Sequence, residues 1–333
     1  MAIKKVLVSG HPKNEVARKT AKKVIKLLVK HGIKAIVDKT FLPLKNAVSI
    51  EKADADAAVV FGGDGTLLHF LRESGKRKIP VLGINCGARG NLMEAGHSKI
   101  DTAVGMLAKG YYTLAQKQRI AGTADGRELP LALNDIMLSP KKPAVLFRHD
   151  IFIDKEFLFR DISDALLVSS VTGSTAYSLS GSNPVAHEKA RVLIVRPVNS
   201  HSHPQPVVVN ENSTITIDNI DSPIGLEAII DGQERVEVKN RLVIRKAKAP
   251  VNLIKFKKQL AEEKEHLKQA MPSAKYIYWV LKEKGSLTQL EIIKETGLNW
   301  RTAKRALDFL VRHEIVVKQP LFWNRKQRLY SVR

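Results

Sequence analysis

Cysteine is nearly missing: one residue, Cys86, stands in a chain of 333. That excludes an intramolecular disulfide framework and any multi-cysteine zinc site, and it fits a reducing interior. No apolar stretch approaches the roughly 18–20 residues of a membrane span, so no membrane partner is expected. The opening MAIKKVLVSGH has too short an apolar stretch for a signal peptide and reads as a first strand, which places the expected location in the cytoplasm. Acidic residues are few as well. The 33 Asp and Glu face 55 Lys and Arg, a formal net charge of +22. Such an imbalance speaks to partners and not to fold. It calls for anionic ligands (nucleotides, nucleic acid or both), with solubility as the plainer reading. Several phosphate signatures are absent too: GxxxxGK[ST], GxGxxG after a strand, and the HRD and DFG of protein kinases. A P-loop enzyme, an ordinary Rossmann dehydrogenase and a protein kinase are therefore disfavoured.

What is present is an ordinary globular composition, 44% apolar and 26% charged. The length exceeds one core and predicts two or three domains. The chain falls into three regions. Residues 1–119 alternate strands and helices: strands over 4–8, 33–37, 56–61 and 79–84, helices over 15–31, 67–74 and 101–110. That alternation predicts a doubly wound α/β domain with a mostly parallel sheet. In residues 120–256 helical periodicity nearly vanishes. Short β-rich runs (131–138, 144–153, 165–170, 192–196, 207–209, 213–218, 228–231, 242–245) predict an all-β, sandwich-like domain. Residues 257–272 read as a charged helical linker ending at Met271-Pro272. Residues 273–333 give three helices, over 273–283 with Ser273 as cap, 288–296 ending at Gly297, and 299–313 with Asn299 as N-cap. Two strands follow, over 315–318 and 327–332. That pattern predicts a winged helix-turn-helix domain.

Residues 61–68 read FGGDGTLL. A strand, a glycine turn and a helix N-terminus make a phosphate site, because free N–H groups and the helix dipole both favour anions. Gly62, Gly63 and Gly65 let the backbone approach a ligand closely. Asp64, beside phosphates, is electrostatically unfavourable unless it has a task. It can take a proton from an attacking hydroxyl or help hold Mg²⁺, both parts of phosphoryl transfer. The plainer reading is a tight turn with Asp64 capping the next helix.

Three further stretches narrow the choice: LNDI at 133–136, VSSVTGSTAYSLSGSNP at 168–184, and IDGQ at 230–233. With GGDGT at 62–66, GINCGARG at 83–90 and PVNSHSHPQP at 197–206, residues 1–256 resemble the NAD kinase family. The resemblance implies transfer of a phosphoryl group from ATP or polyphosphate, with Mg²⁺ or another divalent metal, to the 2′-hydroxyl of the adenosine ribose of NAD, giving NADP. It implies that Asp64 is the catalytic carboxylate, with Gly62, Gly63, Gly65 and Thr66 around it and Asn85 in the GIN element. It implies that Asn134 and Asp135 grip ribose hydroxyls, as a carboxylate beside a vicinal diol does well. Thr172, Thr175, Ala176, Tyr177 and Ser180 match the adenine- and ribose-lining segment, and Asp231 lies in the IDGQ element. Asp164 matches an aspartate that reaches the nicotinamide end of a neighbouring subunit's ligand, which implies a homo-oligomer, a dimer or tetramer. Three positions depart from the family: Val171 where it has proline, Gly181-Ser182-Asn183 where it has paired glycines, and Asn91 where it has phenylalanine. His187, His201 and His203 fit no metal-ligand spacing and read as surface or structural residues.

The resemblance stops near residue 260. From Val251 onward the chain carries 18 Lys or Arg and 8 Asp or Glu. Arg301, Lys304 and Arg305 on the third tail helix, with Arg325 and Lys326 on the wing, are the nucleic-acid candidates. Docking or dimerisation through the tail is the plainer reading. Two function classes follow: an active NAD kinase with a nucleic-acid-binding or regulatory module, or a DNA-binding regulator whose kinase fold senses NAD(P) without turnover.

Overall fold

The computed structural model describes residues 3–87, 90–176, 184–202, 205–256, 267, 269–313, 315–321 and 324–332, and it divides into two compact units, Met1–Phe256 and Lys257–Arg333.

The first unit opens with β1 (Lys5–Gly10), α1 (Glu15–Lys30), β2 (Lys34–Val37), β3 (Ala57–Gly62), α2 (Asp64–Glu73), β4 (Val81–Asn85), α3 (Ile100–Ala108) and β5 (Tyr112–Lys117). β3 reads AAVVFG and is buried at all six positions, as a strand covered on both faces must be. Parallel β2, β1, β3 and β4 lie side by side. α1 and α3 cover one face through Ala17, Val24, Leu28, Ile100 and Leu107. α2 covers the other through Leu67, Phe70 and Leu71. This is the doubly wound arrangement the alternation predicts.

The β-rich stretch holds β6 (Ile120–Ala124), β7 (Asp135–Pro140), β8 (Phe147–Ile153), β9 (Glu156–Ser163), β10 (Ala165–Ser170), β11 (Val192–Val198), β12 (Val207–Asn210), β13 (Ile215–Asp221), β14 (Leu226–Ile230), β15 (Glu234–Val238), β16 (Leu242–Lys246) and β17 (Val251–Phe256). Two antiparallel sheets form, β9-β8-β13-β16-β6 with the short Arg127–Glu128 strand, and β12-β11-β10-β7-β14-β15. Their apolar faces meet in one core, with Phe147, Ile151, Ile217 and Ile244 from the first sheet and Ile136, Val168, Val195 and Ala228 from the second. The sandwich predicted from the short runs is present.

Two local differences matter for the site. The run 131–138, expected to be a strand throughout, bridges Ile120 at Ala132 and becomes a strand only at Asp135, with Leu133 and Asn134 bending between them. β17, expected within the β-rich domain, returns to the first sheet, parallel to β4 and antiparallel to β5. Val251, Leu253 and Ile254 are buried there, which explains the exchange.

The second unit holds α4 (Pro272–Lys284), β18 (Leu287–Thr288), α5 (Gln289–Thr296), α6 (Trp300–Arg312), β19 (Val316–Leu321) and β20 (Asn324–Val332), the strands forming one sheet in the order β18-β20-β19. Pro272, with its fixed φ, opens α4, and no side chain caps it, so Ser273 is not the cap expected. α5 has a full capping box, Thr288 with Glu291. Gly297 closes it at φ 65°, and Asn299 caps α6 by accepting from Thr302 N. Ala274, Ile277, Leu281, Ile292, Leu307 and Tyr330 share this unit's own core. Residues 257–266 and 268 of the expected linker lie outside the described residues.

Candidate active site

β3 runs directly into α2, so Asp64 is the first residue of the helix and Gly63 its N-cap. The carboxylate does not cap its own helix. Asn91 N donates to its Oδ2 at 2.8 Å and Leu92 N to its Oδ1 at 3.0 Å. Two charge-assisted bonds fix its orientation, and each oxygen keeps a lone pair for a further donor. A side chain on Gly62 would overlap Thr66, so only glycine fits where β3 turns into α2. The first N–H groups of α2 have no partner inside the helix and suit an anion.

The facing wall is built around Asn134. Asp231, itself at φ 49°, accepts from three successive N–H groups: Leu133 at 2.9 Å, Asn134 at 2.7 Å and Asp135 at 3.2 Å. Ser170, at the end of β10, donates its hydroxyl to Leu133 O at 2.6 Å and accepts from Gly173 N at 3.1 Å. Gly173 lies so close to the Asn134 carbonyl that a side chain there would collide with it. The TGST turn is thereby packed onto the LND turn.

Between the walls lies a cleft of about 810 Å³ whose lining includes Asp64, Asn91, Asn134, Thr172, Thr175 and Ala176. The same cleft is lined by Lys117, Lys189, Arg191, Lys246 and Lys255. Three of these cations are paired, Lys117 with Glu188, Lys246 with Glu211 and Lys255 with Glu94. A carboxylate, hydroxyl and amide groups and several cations on one cleft form a site for a phosphorylated, hydroxyl-bearing ligand.

Some expected residues are placed elsewhere. Asp135 does not line the cleft; it is 5% exposed, behind Asn134. Ile136 and Leu138 take the sandwich core, so strand alternation puts Asp135 on the other face of the sheet, in register with Ser169. Burial, with the Asp231 charge adding to it, pushes its carboxyl up to about 7. Burial also raises Asp231, against the pull of its three N–H donors and Arg72. Asp164 accepts from Asn199 Nδ2 at 2.8 Å and is not among the residues around the cleft. Asn85 ends β4 in register with Gly62, its Oδ1 accepting from Gly87 N. Tyr177, Ser180 and the 181–183 departure lie outside the described residues, as does His203. His187 and His201 are exposed. Among the described residues no three His, Cys, Asp or Glu converge on a metal position. Cys86 is buried, which pushes its thiol up to about 11. No helix among the described residues is long and apolar enough to cross a membrane.

Three positioning residues escaped the sequence reading. Gln233 Nε2 donates to Gly65 O at 2.8 Å, while Arg72 Nη1 donates to Gln233 Oε1 at 2.8 Å. The IDGQ stretch was visible, but not that its glutamine grips the glycine turn. Arg119 is fully buried; its Nε donates to Ala249 O at 2.9 Å and its Nη1 to Leu71 O at 3.3 Å. It thus sits at the C-terminal end of α2, where a cation meets the negative end of the helix dipole. Nothing in QKQRI distinguishes it from a surface arginine.

Residues 6–112 match the ATP-NAD kinase N-terminal domain and residues 133–256 the ATP-NAD kinase C-terminal domain. The chain is 30% identical over 254 residues to the NAD kinase of Methanopyrus kandleri, covering 75% of this chain and 91% of that one. It is 35% identical over 208 residues to the NAD kinase of Teredinibacter turnerae, covering 59% and 71%. Its fold is similar to that of an NAD kinase from Archaeoglobus fulgidus in complex with ATP, with TM-score 0.64 and 24% identity over 77% of this chain and 94% of that one. It is similar too to yeast NADH kinase complexed with NADH, with TM-score 0.70 and 21% identity over 78% and 85%.

Proposed function

Because this chain belongs to the NAD kinase family, we propose that its cleft phosphorylates the 2′-hydroxyl of the adenosine ribose of NAD, with Asp64 as the general base. The observation that carries this reading is the held carboxylate of Asp64, facing a cleft shared with Asn134 and the TGST turn. Asn134, Thr172, Thr175 and Ala176 position the adenosine. The 2′-oxygen attacks the terminal phosphorus of the donor and its proton passes to Asp64. The bond from that phosphorus to the bridging oxygen breaks, releasing ADP or a shortened polyphosphate. The free N–H groups at the start of α2 meet the charge that develops on the transferred group. Gln233 and Arg72 keep the turn from shifting as this happens.

ATP or polyphosphate is the donor. The fit for Mg²⁺ rests on the donor set: Asp64 is a lone carboxylate, and Glu188 and Glu211, also on the cleft, are committed to lysines. Mg²⁺ would therefore be held through the donor phosphates with Asp64 as the protein's contact, and when bound it neutralises phosphate charge. Asp164 lies away from the cleft, so a ligand role for it requires a second copy of the chain, in a dimer or tetramer. The tail, whose elements run helix, strand, helix, helix and hairpin, is a winged helix-turn-helix module with a binding or regulatory task. The departures at Gly181-Ser182-Asn183 and Asn91 suit a non-catalytic sensor, but Asp64 and Asn134 retained on one cleft favour turnover.

The test is NADP formation from NAD with ATP or polyphosphate, before and after chelation. NADP should form with at least one donor, stop with EDTA and return with Mg²⁺. A protein that NAD protects against heat, yet that makes no NADP with either donor, would overturn the reading.

A further inference from the structure

We infer that α6 is the reading helix of a duplex DNA interface, with Arg301, Lys304, Arg305 and Arg312 facing the major groove. The inference rests on the winged-helix reading of the tail. One stripe of α6 is sealed into the core: Ala303, Ala306, Leu307 and Leu310 are at most 1% exposed. The opposite stripe is exposed and cationic. Arg301, Arg305 and Arg312 recur at four and seven residues with Lys304 beside them, so they share one face, roughly 16 Å long at about 1.5 Å rise per residue. With Trp300 and Asp308 they border a groove of about 640 Å³. Among the described residues none of these four cations forms an ion pair. A free cationic stripe on a helix is costly to keep by self-repulsion alone and is relieved by a polyanion.

The helix is also held in the right way. α5 ends at left-handed Gly297, and three residues later α6 begins under the Asn299 cap. That short turn joins the two helices, and Trp300, Arg301, Lys304 and Arg305 are exposed in the first turns of α6, the part that meets base edges in helix-turn-helix proteins. Arg301 and Arg305 can pair in bidentate fashion with guanine O6 and N7. Asp308 can accept from cytosine N4, and Lys304 and Arg312 suit flanking phosphates. Trp300, 52% exposed at the helix start, packs against the backbone edge. The observations favour DNA over the alternatives. A-form RNA has a major groove too deep and narrow for a helix. A protein interface of this size is centred on apolar residues and is depleted of lysine.

The test uses the full chain and a labelled 30-base-pair DNA duplex of mixed sequence, with anisotropy read from 50 to 200 mM salt. Wild type should bind duplex DNA at least tenfold more tightly than an RNA duplex of the same sequence. The triple variant Arg301→Gln, Lys304→Gln, Arg305→Gln should weaken DNA binding at least tenfold and flatten the salt slope by about 2–3, with NADP formation unchanged. Equal affinity of variant and wild type, or equal affinity for RNA, overturns the inference. Limited proteolysis of the same chain separates the two levels. A protected tail fragment that binds no duplex overturns the DNA inference alone; a tail digested as fast as unfolded chain overturns the domain reading with it.

Discussion

Gln233 Nε2 donates to the carbonyl of Gly65 across 168 residues of chain, at 2.8 Å. One amide thus ties the turn after β14 to the glycine turn that carries Asp64, and Arg72 holds the other end of that amide. The two halves of the catalytic unit meet at this bond.

Gln233→Leu should therefore loosen the turn more than it destabilises the fold. We expect kcat to fall about tenfold, the cost of a small misplacement of a reacting group. Stability should fall by only about 1 kcal/mol or less, the net worth of a hydrogen bond at an exposed site. Steady-state kinetics beside urea denaturation separates the two effects. A stability loss with unchanged kcat would make Gln233 a structural tie only.

Asp231 serves three N–H groups at once. Asp231→Ala leaves the N–H groups of Leu133, Asn134 and Asp135 without their partner. A loss of about 3 kcal/mol or more is expected, since each buried donor left unmade costs roughly 1–3 kcal/mol before relaxation and water entry. Urea midpoints check it, and NAD affinity should fall with them because Asn134 is carried on the same turn.

Asp135 makes stability depend on pH. Its folded value of about 7 lies above the ordinary 3.8, so the unfolded chain releases this proton first. The group's contribution is complete below about pH 4, is lost as pH rises toward 7, and is constant above that. Asp231 is shifted in the same direction. Asp135→Asn should thus gain on wild type steadily across that window, in thermal melts taken from pH 4 to 8. A difference that does not vary with pH would mean that Asp135 is not held protonated.

Much of this was legible in the sequence, for identifiable reasons. β3 could be read because a strand covered on both faces must be apolar throughout, and AAVVFG is. α5 and α6 could be read because Thr288, Gly297 and Asn299 are chemical start and stop signals. β9 was missed because an edge strand with an exposed EFLFR run lacks the apolar alternation that marks a half-buried strand. β17 was missed as part of the first sheet because pairing between residues 81 and 253 leaves no local trace. At the site, Asp64, Asn134, Thr172, Thr175 and Ala176 are legible from their motifs and share the cleft. Asp135 was expected beside them, but it is buried on the sheet face opposite Ile136 and Leu138 and does not line the cleft. Arg119 could not be foreseen, since burial of an arginine is decided by two distant carbonyls, Leu71 and Ala249.

The central claim is that the carboxylate in the glycine turn takes the proton. Asp64→Asn tests it most directly, with kcat for NADP formation measured beside the calorimetric Kd for NAD. The account predicts a fall in kcat of about 10²–10⁴-fold with Kd within about threefold of wild type, because asparagine can still accept one of the two N–H bonds from Asn91 and Leu92. Equal losses of rate and binding, or a variant that still turns over, would contradict it.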